Sequence, residues 1–319
     1  MVSFCKDIKK ETLDMQRYLI FRIGQSVIAL IGVSMLVFFL TRLSGNVLDL
    51  MLPIEATPED FARVEKAWGL DKPLIVQYGV YVGNVLQGDW GESWKWGSGA
   101  LEIVLEKFPA AVQLASFTLL VSTALGLGIG VLVAVKKGSP FDWGGKVVAL
   151  LGQSLPGFWL GIVLMWVFAV LLGWLPTSGK GGLSHMIMPA VTLGWFNVAA
   201  LMRLTRSAML EVLDSEYVKL ARIKGLSEWK VIWKHCLRNA AIAPLTYFGL
   251  VAGFLLTGSV VTETVFAWPG TGLLAVEAVQ ARDYQVVQAV VLFMASIFIV
   301  SNLVVDILYA YVDPRIRYN

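Results

Sequence analysis

Charged residues are scarce in this sequence. Asp, Glu, Lys and Arg make up 15% of its 319 residues, whereas hydrophobic residues make up 57% and the mean hydropathy is +0.69. An ordinary soluble domain contains about 25% charged residues. The composition therefore excludes a soluble enzyme or a soluble binding module, and it indicates an integral membrane protein.

Cysteine and histidine are also scarce, with two of each. Cys5 and Cys236 fall in segments that the charge pattern places in the cytosol, where thiols stay reduced, so we expect no disulfide. His185 and His235 fall in segments on opposite faces of the membrane. Because a metal site needs several ligands in one place, these four residues cannot assemble one, and we expect no metal centre.

Nucleotide-binding and catalytic motifs are missing as well. The Gly-Lys pairs at 145–146 and 179–180 are followed by valine and glycine, not by the Ser or Thr that ends a phosphate-binding loop. The patterns G-x-S-x-G, H-E-x-x-H and C-x-x-C do not occur, and two histidines leave little room for acid-base catalysis. We therefore expect no ATP hydrolysis, no catalytic residue and no cofactor in this chain.

Six apolar runs are long enough to cross a bilayer, which takes about 20 apolar residues. None of the six contains Asp, Glu, Lys or Arg. Carriers coupled to protons or sodium, and intramembrane hydrolases, keep ionisable residues inside their spans, so this absence indicates an external energy source. The first run is too long for a signal peptide and lacks a cleavage site, so we interpret it as a retained span. The runs cover residues 23–40, 110–135, 147–173, 186–202, 241–262 and 286–305.

The positions of the basic residues predict the orientation of the chain. Of the 26 Lys and Arg residues, 18 lie in the N-terminal arm, in the loops at 136–146 and 203–238, and at the C-terminal end. The positive-inside rule places these segments and both termini in the cytosol. The predicted parts are a cytoplasmic arm (1–22), a first transmembrane helix (23–41), an extracytoplasmic lobe (42–107), a five-span transmembrane domain (108–310) and a cytoplasmic tail (311–319).

The predicted lobe has helix signals and several tryptophans. Thr57 before Pro58 predicts the start of a helix, and Trp-Gly-Leu at 68–70 predicts its end. In the next spans, Gly126-x-x-x-Gly130 predicts close helix packing, and Pro156-Gly157 predicts a bend. Four tryptophans of the lobe are interpreted as membrane-interface anchors or local core, with contact to a docked protein as the alternative: Trp68, Trp90, Trp94 and Trp96.

Residues 214–238, DSEYVKLARIKGLSEWKVIWKHCLR, form a charged insert between apolar runs. The pattern predicts two short amphipathic helices that meet at Gly225, where the end of a helix tolerates a positive φ. Asp214 or Ser215 is the predicted cap of the first helix and Ser227 that of the second. By itself, this pattern of basic helices beside a membrane fits contact with anionic lipid as well as it fits contact with a protein. The predicted apolar faces are Leu213, Tyr217, Leu220 and Ala221 in the first helix, and Trp229, Ile232, Trp233, Cys236 and Leu237 in the second.

The segment EYVKLARIKGLSEWKVIWKHCLRNA resembles the cytoplasmic loop of permease subunits of binding-protein-dependent ABC importers, in particular the peptide and nickel class. The Glu-Ala-Ala triplet of the broader family falls on residues 219–221, where only Ala221 matches, and the glycine of the family falls on Gly225. Further segments are similar to this branch, so the resemblance runs from Gly69 nearly to the end of the chain. These segments are GLDKPL, GDWGES, LGWLPTSG, MPAVTLG, ETVF-x-x-PG-x-G, RDY and the terminal YVDPRIRYN.

The resemblance implies an all-α integral membrane protein with six transmembrane helices in the type I ABC importer fold and a small helical extracytoplasmic lobe. It is the resemblance to this branch that identifies the chain with the subunit carrying a large loop between its first two spans. In that family the loop corresponding to 211–238 couples the permease to an ATPase. The implied coupling residues are Glu216, Tyr217, Lys219, Ala221, Arg222, Lys224, Gly225 and Leu226. The implied outer gate or solute path includes Phe266, Pro269, Gly270, Gly272, Asp283 and Tyr284.

The resemblance also implies the partners. They are a second, related permease subunit, two cytoplasmic ATPase subunits that bind ATP and magnesium, an extracytoplasmic solute-binding protein and membrane lipid, with no nucleic acid. The implied solutes are small peptides, nickel chelates, glutathione, opines or oligosaccharides, and the implied location is the bacterial inner membrane. The alternative is a self-contained channel or secondary carrier, and an intramembrane enzyme is disfavoured by the missing catalytic groups.

Overall fold

The computed structural model of the chain describes residues 2–43, 57–67, 69–256 and 260–312. Within these residues the chain is helical, and the β-pairing they contain is an isolated bridge between Glu92 and Gly99. The chain divides into two compact units, one made of Met1–Pro109 with Gly270–Asn319 and the other of Ala110–Pro269.

The helices of the first unit come from both ends of the chain. They are α1 (Val2–Leu43), α2 (Pro58–Ala67), α3 (Leu74–Leu86), the beginning of α4 (Ala100–Val135), α12 (Thr271–Gln280) and α13 (Tyr284–Val312). The second unit holds the rest of α4, α5 (Pro140–Ser154), α6 (Gly157–Leu171), α7 (Leu183–Leu213), α8 (Glu216–Ile223), α9 (Glu228–Ala240), α10 (Ile242–Leu256) and α11 (Val260–Val265). Two of them contain π-helical turns, Met165–Leu171 in α6 and Val231–Cys236 in α9.

Four of the predicted spans are confirmed as single helices. The parts of α1, α4, α7 and α13 that are apolar and long enough to cross a membrane are Ile20–Leu43, Ala100–Val135, Leu183–Leu213 and Tyr284–Val305. Two further pairs of helices pass the same test together, α5 with α6 and α9 with α10, so the described residues hold up to six spans. Residues 257–259 at the end of the predicted run 241–262 lie outside the described residues.

The predicted bend at Pro156-Gly157 is confirmed and is large. The axes of α5 and α6 differ by 109°, so the predicted run 147–173 is divided between two helices. Proline lacks an N–H group and disfavours helical backbone in the residue before it. Leu155 is accordingly extended, with φ −83° and ψ 128°, and the helix ends at Ser154.

The lobe between the first two spans contains the predicted helix. It begins at Pro58, as expected for proline in the first helical position, and Gly69 after its end has φ +64°. Trp90 and Trp96 pack against a buried cluster where α4, α12 and α13 meet, so these two tryptophans are local core. Trp94 is exposed, and Trp68 lies outside the described residues. Helix α4 begins at Ala100, inside the stretch 42–107 that the sequence assigned to the lobe.

Helices α4 and α7 touch at two glycines, which confirms the predicted close packing at Gly126-x-x-x-Gly130. A Cβ added at Gly126 would lie 2.6 Å from the Cβ of Leu201, and one added at Gly130 would lie 2.6 Å from the Cβ of Thr205. The Gly130 position would also bring the new Cβ within 2.9 Å of the carbonyl oxygen of Met202, which is backbone and cannot rotate away.

We therefore expect Gly130→Ala to destabilise the protein by about 1–3 kcal/mol, the usual cost of overpacking a close contact. Gly128→Ala is the matched control, because a Cβ at Gly128 meets nothing within 4 Å and alanine favours the helix. Thermal unfolding of the purified variants in detergent checks this. Equal melting temperatures for the two variants would contradict the packing argument.

Candidate functional site

The insert folds as the two helices α8 and α9, joined at Gly225. The N–H of Gly225 donates to the carbonyl of Arg222 at 2.9 Å, and the N–H of Leu226 donates to the carbonyl of Ala221 at 3.3 Å. This pair of bonds is the Schellman arrangement that ends helices, and it needs a left-handed residue. Gly225 has φ +74°, which confirms the predicted positive φ.

Both predicted caps are in place but differ in detail from the expectation. Ser215 and Ser227 occupy the positions before α8 and α9 in extended conformation, yet neither side chain caps its helix. The hydroxyl of Ser215 instead donates to the carbonyl of Val212 at the end of α7. The serines therefore mark the helix starts through their backbone conformation.

The predicted apolar faces of the insert are confirmed only in part, since Ala221 and Cys236 are buried. Tyr217, Leu220, Trp229 and Trp233 were expected in the apolar faces and are exposed, with Leu220 56% and Trp229 69% accessible. The residues that are buried form one cluster with the helices beside them. It contains Val218 and Ala221 of α8, Val231, Cys236 and Ala240 of α9, Val131 and Ala134 of α4, and Met209 of α7.

Two local features explain the difference. Leu213 ends α7, so it belongs to a different helix from Tyr217 and does not share a face with it. In α9, the turn Val231–Cys236 is π-helical. Because π-helical hydrogen bonds join residues five apart, Val231 and Cys236 come to the same side, whereas α-helical spacing would separate them.

The outer surface of the insert combines exposed apolar and charged side chains. Arg222 of α8 bonds Glu228 of α9 through Nε at 2.9 Å, which links the two helices across Gly225. Lys219 bonds Glu216 at 2.7 Å. Of the proposed coupling residues, Ala221 is buried and the other seven are exposed: Glu216, Tyr217, Lys219, Arg222, Lys224, Gly225 and Leu226. The large apolar side chains exposed on the same two helices are Tyr217, Leu220, Ile223, Trp229 and Trp233, and Ile223 is 79% accessible.

The proposed gate residues belong to different units and are mostly buried. In the second unit, Phe266 is buried and its carbonyl accepts the N–H of Gly179 at 2.9 Å, while Pro269 is half-buried. In the first unit, Gly270 precedes α12 as its N-cap. Gly272 lies inside α12 and is buried. Pro269 and Gly270 already provide the break, and the helix continues through Gly272.

Asp283, the fifth gate candidate, fixes the start of α13. Its buried carboxylate accepts hydrogen bonds from the hydroxyl of Ser93 at 2.6 Å, the N–H of Lys95 at 3.3 Å and the N–H of Val286 at 3.2 Å. The bond from Val286 caps α13, and the bonds from Ser93 and Lys95 connect the loop before α4 to the start of α13. Tyr284, the sixth candidate, is the first residue of α13 and is buried.

A buried ion pair connects α5 to α7 and was not expected from the sequence. Asp142, 1% accessible, accepts from Nε of Arg206 at 2.8 Å and from the second guanidinium nitrogen at 3.1 Å. Lys146 lies 3.1 Å from the same carboxylate, and the N–H of Gly138 donates to it at 3.0 Å. Only the i, i+4 pair of Asp142 and Lys146 is visible in the sequence, because Arg206 lies 64 residues away.

Several transport proteins have sequences similar to that of this chain. The family described as the inner membrane component of binding-protein-dependent transport systems matches residues 126–318, and its N-terminal region matches residues 15–115. The chain is 42% identical to the di/tripeptide transport system permease protein DppB of Pseudomonas aeruginosa, covering 93% of this chain and 97% of the relative. It is also 42% identical to the glutathione transport system permease protein GsiC of Salmonella choleraesuis, covering 95% and 100%.

Two other similarities extend the comparison. The dipeptide transport system permease protein DppB of Alkalihalophilus pseudofirmus is 37% identical, covering 91% of this chain and 96% of the relative. Among solved structures, the inward-facing MetNI methionine ABC transporter is similar with a TM-score of 0.49 and 16% identity, over 65% of this chain and 96% of that chain. On the family match and the identities to its relatives, the chain belongs to the inner membrane components of binding-protein-dependent transport systems, as a permease of the peptide-type ABC importers.

Proposed function

We propose that this permease passes small peptides, or solutes of similar size, inward across the bacterial inner membrane by alternating access. The transport energy comes from hydrolysis of ATP, which two partner ATPases bind together with magnesium. A second permease completes the solute path, and an extracytoplasmic binding protein delivers the solute. The names of the relatives support this range of solutes, since they include dipeptide, tripeptide and glutathione systems. Both termini and the insert lie on the cytoplasmic side in this proposal, in keeping with the distribution of the basic residues.

The exposed surface of the insert is the observation that carries the proposal. Ile223 and Trp229 are 79% and 69% accessible although they lie on two well-packed helices. Exposed aromatic and aliphatic side chains within a charged rim are typical of protein interfaces. Anionic lipid is a poorer partner, because Glu216 and Glu228 stand on the same surface and neutralise two of its cations.

The buried side of the insert shows how it can act on the spans. Val218 and Val231 are fully buried in a cluster that also contains Val131 of α4 and Met209 of α7. Packed interiors of this kind move as units and do not deform continuously. A movement of the insert is therefore passed to α4 and α7 as a rigid-body motion. In the same proposal, residues 266–284 contribute to the outer gate.

Copurification tests the docking surface. We expect Ile223→Ser to reduce the amount of ATPase subunits that copurify with the permease by about tenfold, because a buried aliphatic anchor contributes a few kcal/mol to an interface. Leu86→Ser is the matched control, since Leu86 is 82% accessible but lies in the lobe and not on the insert. Quantitative mass spectrometry of the purified complexes gives the ratio. Equal ATPase recovery with both variants would exclude the insert as the docking surface.

A further inference from the structure

A basic cleft of about 340 Å³ lies in the second unit, between α5 and α7 and beside the end of α4. Its cations are Lys146 of α5 with Arg203 and Arg206 of α7, and none of the described residues that line it is Asp or Glu. The cleft therefore combines positive charge with aliphatic surface, since apolar side chains form much of the remaining wall. These apolar residues are Val133, Ala149, Leu150 and Met202.

The charged and the apolar side chains are separated along the cleft. Asp142 at the start of α5 pairs with Arg206 of α7. Farther along α5, a Cβ on Gly152 would lie 2.6 Å from the Cβ of Ala199. The two helices are therefore antiparallel, and the three cations lie towards the start of α5. Leu150 lies one helical turn beyond the cation of α5, so the far end of the cleft is apolar.

The cations outnumber the carboxylate that holds two of them in place. Asp142 accepts from Arg206 at 2.8 and 3.1 Å and lies 3.1 Å from Nζ of Lys146. The same Nζ lies 4.9 Å from the ring of Trp143. Arg203 is exposed and, within the part of the chain that the structure describes, forms no ion pair. One carboxylate balances one of three cations, so two positive charges remain, and Arg206 uses only two of the five donors of a guanidinium on Asp142.

The cleft lies at the level where both helices leave the apolar part of the membrane. Lys146 is the residue before the predicted run 147–173, and Arg203 is the residue after the run 186–202. Trp143, 65% accessible, stands almost one turn before Lys146, and tryptophan is enriched at membrane interfaces. The cations are therefore at the depth of the lipid head groups.

The apolar wall distinguishes a lipid from a soluble anion. Leu150 is 67% accessible, and Val147 and Leu151 beside it are exposed as well. Inorganic phosphate at the cations would leave this surface uncovered, whereas an acyl chain covers it, and burial of apolar surface is favourable. The excess of positive charge favours a head group with net negative charge over a zwitterionic one, because the cations repel the ammonium group of the zwitterion. Basic pockets between transmembrane helices on the cytoplasmic side are suited to such head groups.

We propose that the basic cleft binds an anionic phospholipid, with its phosphate at the three cations and an acyl chain along Leu150. The lipid bridges α5 and α7 and so supports the helix that leads into the insert. The assignment to the cytoplasmic leaflet rests on the proposed function, which orients the chain, whereas the binding itself requires no ATP hydrolysis.

Native mass spectrometry of the purified permease with its partner subunits tests the site. The probes are dioleoyl phosphatidylglycerol, which is anionic, and dioleoyl phosphatidylcholine, which has the same acyl chains and is zwitterionic. We expect Arg203→Gln to weaken phosphatidylglycerol binding about fivefold and to change phosphatidylcholine binding by less than about twofold, because one cation near a lipid surface contributes about that factor for an anion. The melting temperature in detergent should stay unchanged, since Arg203 is exposed and holds no ion pair.

Arg238→Gln is the matched control, because the partner subunits and other surfaces of the complex also bind lipid. Arg238 is an exposed arginine near the start of the run 241–262, and it does not line the cleft. This variant should bind phosphatidylglycerol as the unaltered protein does. Equal phosphatidylglycerol affinities of the two variants would overturn the proposal, and so would an equal loss of both lipids in Arg203→Gln.

Two further measurements identify the occupant. Inorganic phosphate at the same concentration should not displace phosphatidylglycerol, and a phosphatidylglycerol with a photoreactive diazirine on its acyl chain should label α5. Displacement by phosphate would mean that the cleft takes a soluble anion, which overturns the proposal. Absence of label from α5 in the assembled complex would mean that another subunit covers the cleft, which also overturns it.

Failure of the lipid site and failure of the proposed function are distinguishable. If Ile223→Ser loses the ATPases while both lipids bind alike, the proposed function stands and the lipid site is wrong. If Ile223→Ser keeps the ATPases while phosphatidylglycerol binding depends on Arg203, the lipid site stands and the coupling surface is wrong.

Discussion

Gly225→Pro is expected to insert into the membrane at normal levels and to lose solute uptake and the coupling of ATP hydrolysis to solute. Proline fixes φ near −65° and has no N–H, whereas Gly225 has φ +74° and donates to Arg222. The substitution therefore breaks both features of the turn that joins α8 and α9. Uptake of labelled solute by whole cells, with an immunoblot of the membrane fraction, checks the expectation.

Gly225→Asn is the control for this prediction. Asparagine enters the left-handed region far more readily than other residues with a side chain, and a Cβ at Gly225 meets nothing within 4 Å. We therefore expect Gly225→Asn to keep most of its uptake. Deletion of residues 215–226 should reproduce the loss caused by proline without preventing insertion. Normal uptake by Gly225→Pro would refute the role assigned to the insert.

Local signals in the sequence were sufficient to predict the positions of the helices in the insert. Ser215, Gly225 and Ser227 act within one or two residues of the helix ends they mark, so their effect depends little on the rest of the chain. The same holds for Pro156, whose missing N–H ends α5 wherever its neighbours lie. These features were predicted correctly because the responsible atoms are adjacent in the sequence.

The faces of the helices could not be predicted in the same way. Both Val218 and Tyr217 are apolar enough to be buried, and contact with Val131 and Met209 decides in favour of Val218. The π-helical turn in α9 changes which residues share a side, and no residue type in VIWKHC marks such a turn. Periodicity assumes regular helices that face one partner, and the insert is irregular and lies against two helices.

Pairings between distant residues were also beyond the sequence. Asp283 was selected because it lies in the RDY segment, yet the sequence did not show that Ser93, 190 residues away, donates to it. Asp142 and Arg206 were not selected at all. Their partners are defined only when the helices have packed, because a surface residue and a buried ion-pair residue look alike in a single sequence.

Arg206→Met is expected to lower the melting temperature of the protein, because the carboxylate of Asp142 is 1% accessible and loses two hydrogen-bond donors. Asp142 would keep Lys146 and the N–H of Gly138 but lose both bonds to Arg206, and its charge would stay buried. Thermal unfolding in detergent and unfolding by urea measure the change in stability. Lys219→Met is the comparison, because Lys219 forms an exposed ion pair with Glu216. We expect it to lower the free energy of unfolding by less than about 1 kcal/mol.

The double variant Asp142→Asn, Arg206→Met separates the charge from the packing. With both charges removed, the asparagine oxygen can still accept from Gly138 and the methionine can still fill space beside α5. We expect it to recover part of the stability lost by Arg206→Met, because the asparagine carries no buried charge that needs the guanidinium. No recovery would mean that Arg206 stabilises α7 through its packing alone. Recovery of stability without recovery of uptake would show that the ion pair also holds α7, and with it Met209 under the insert, in the position that transport requires.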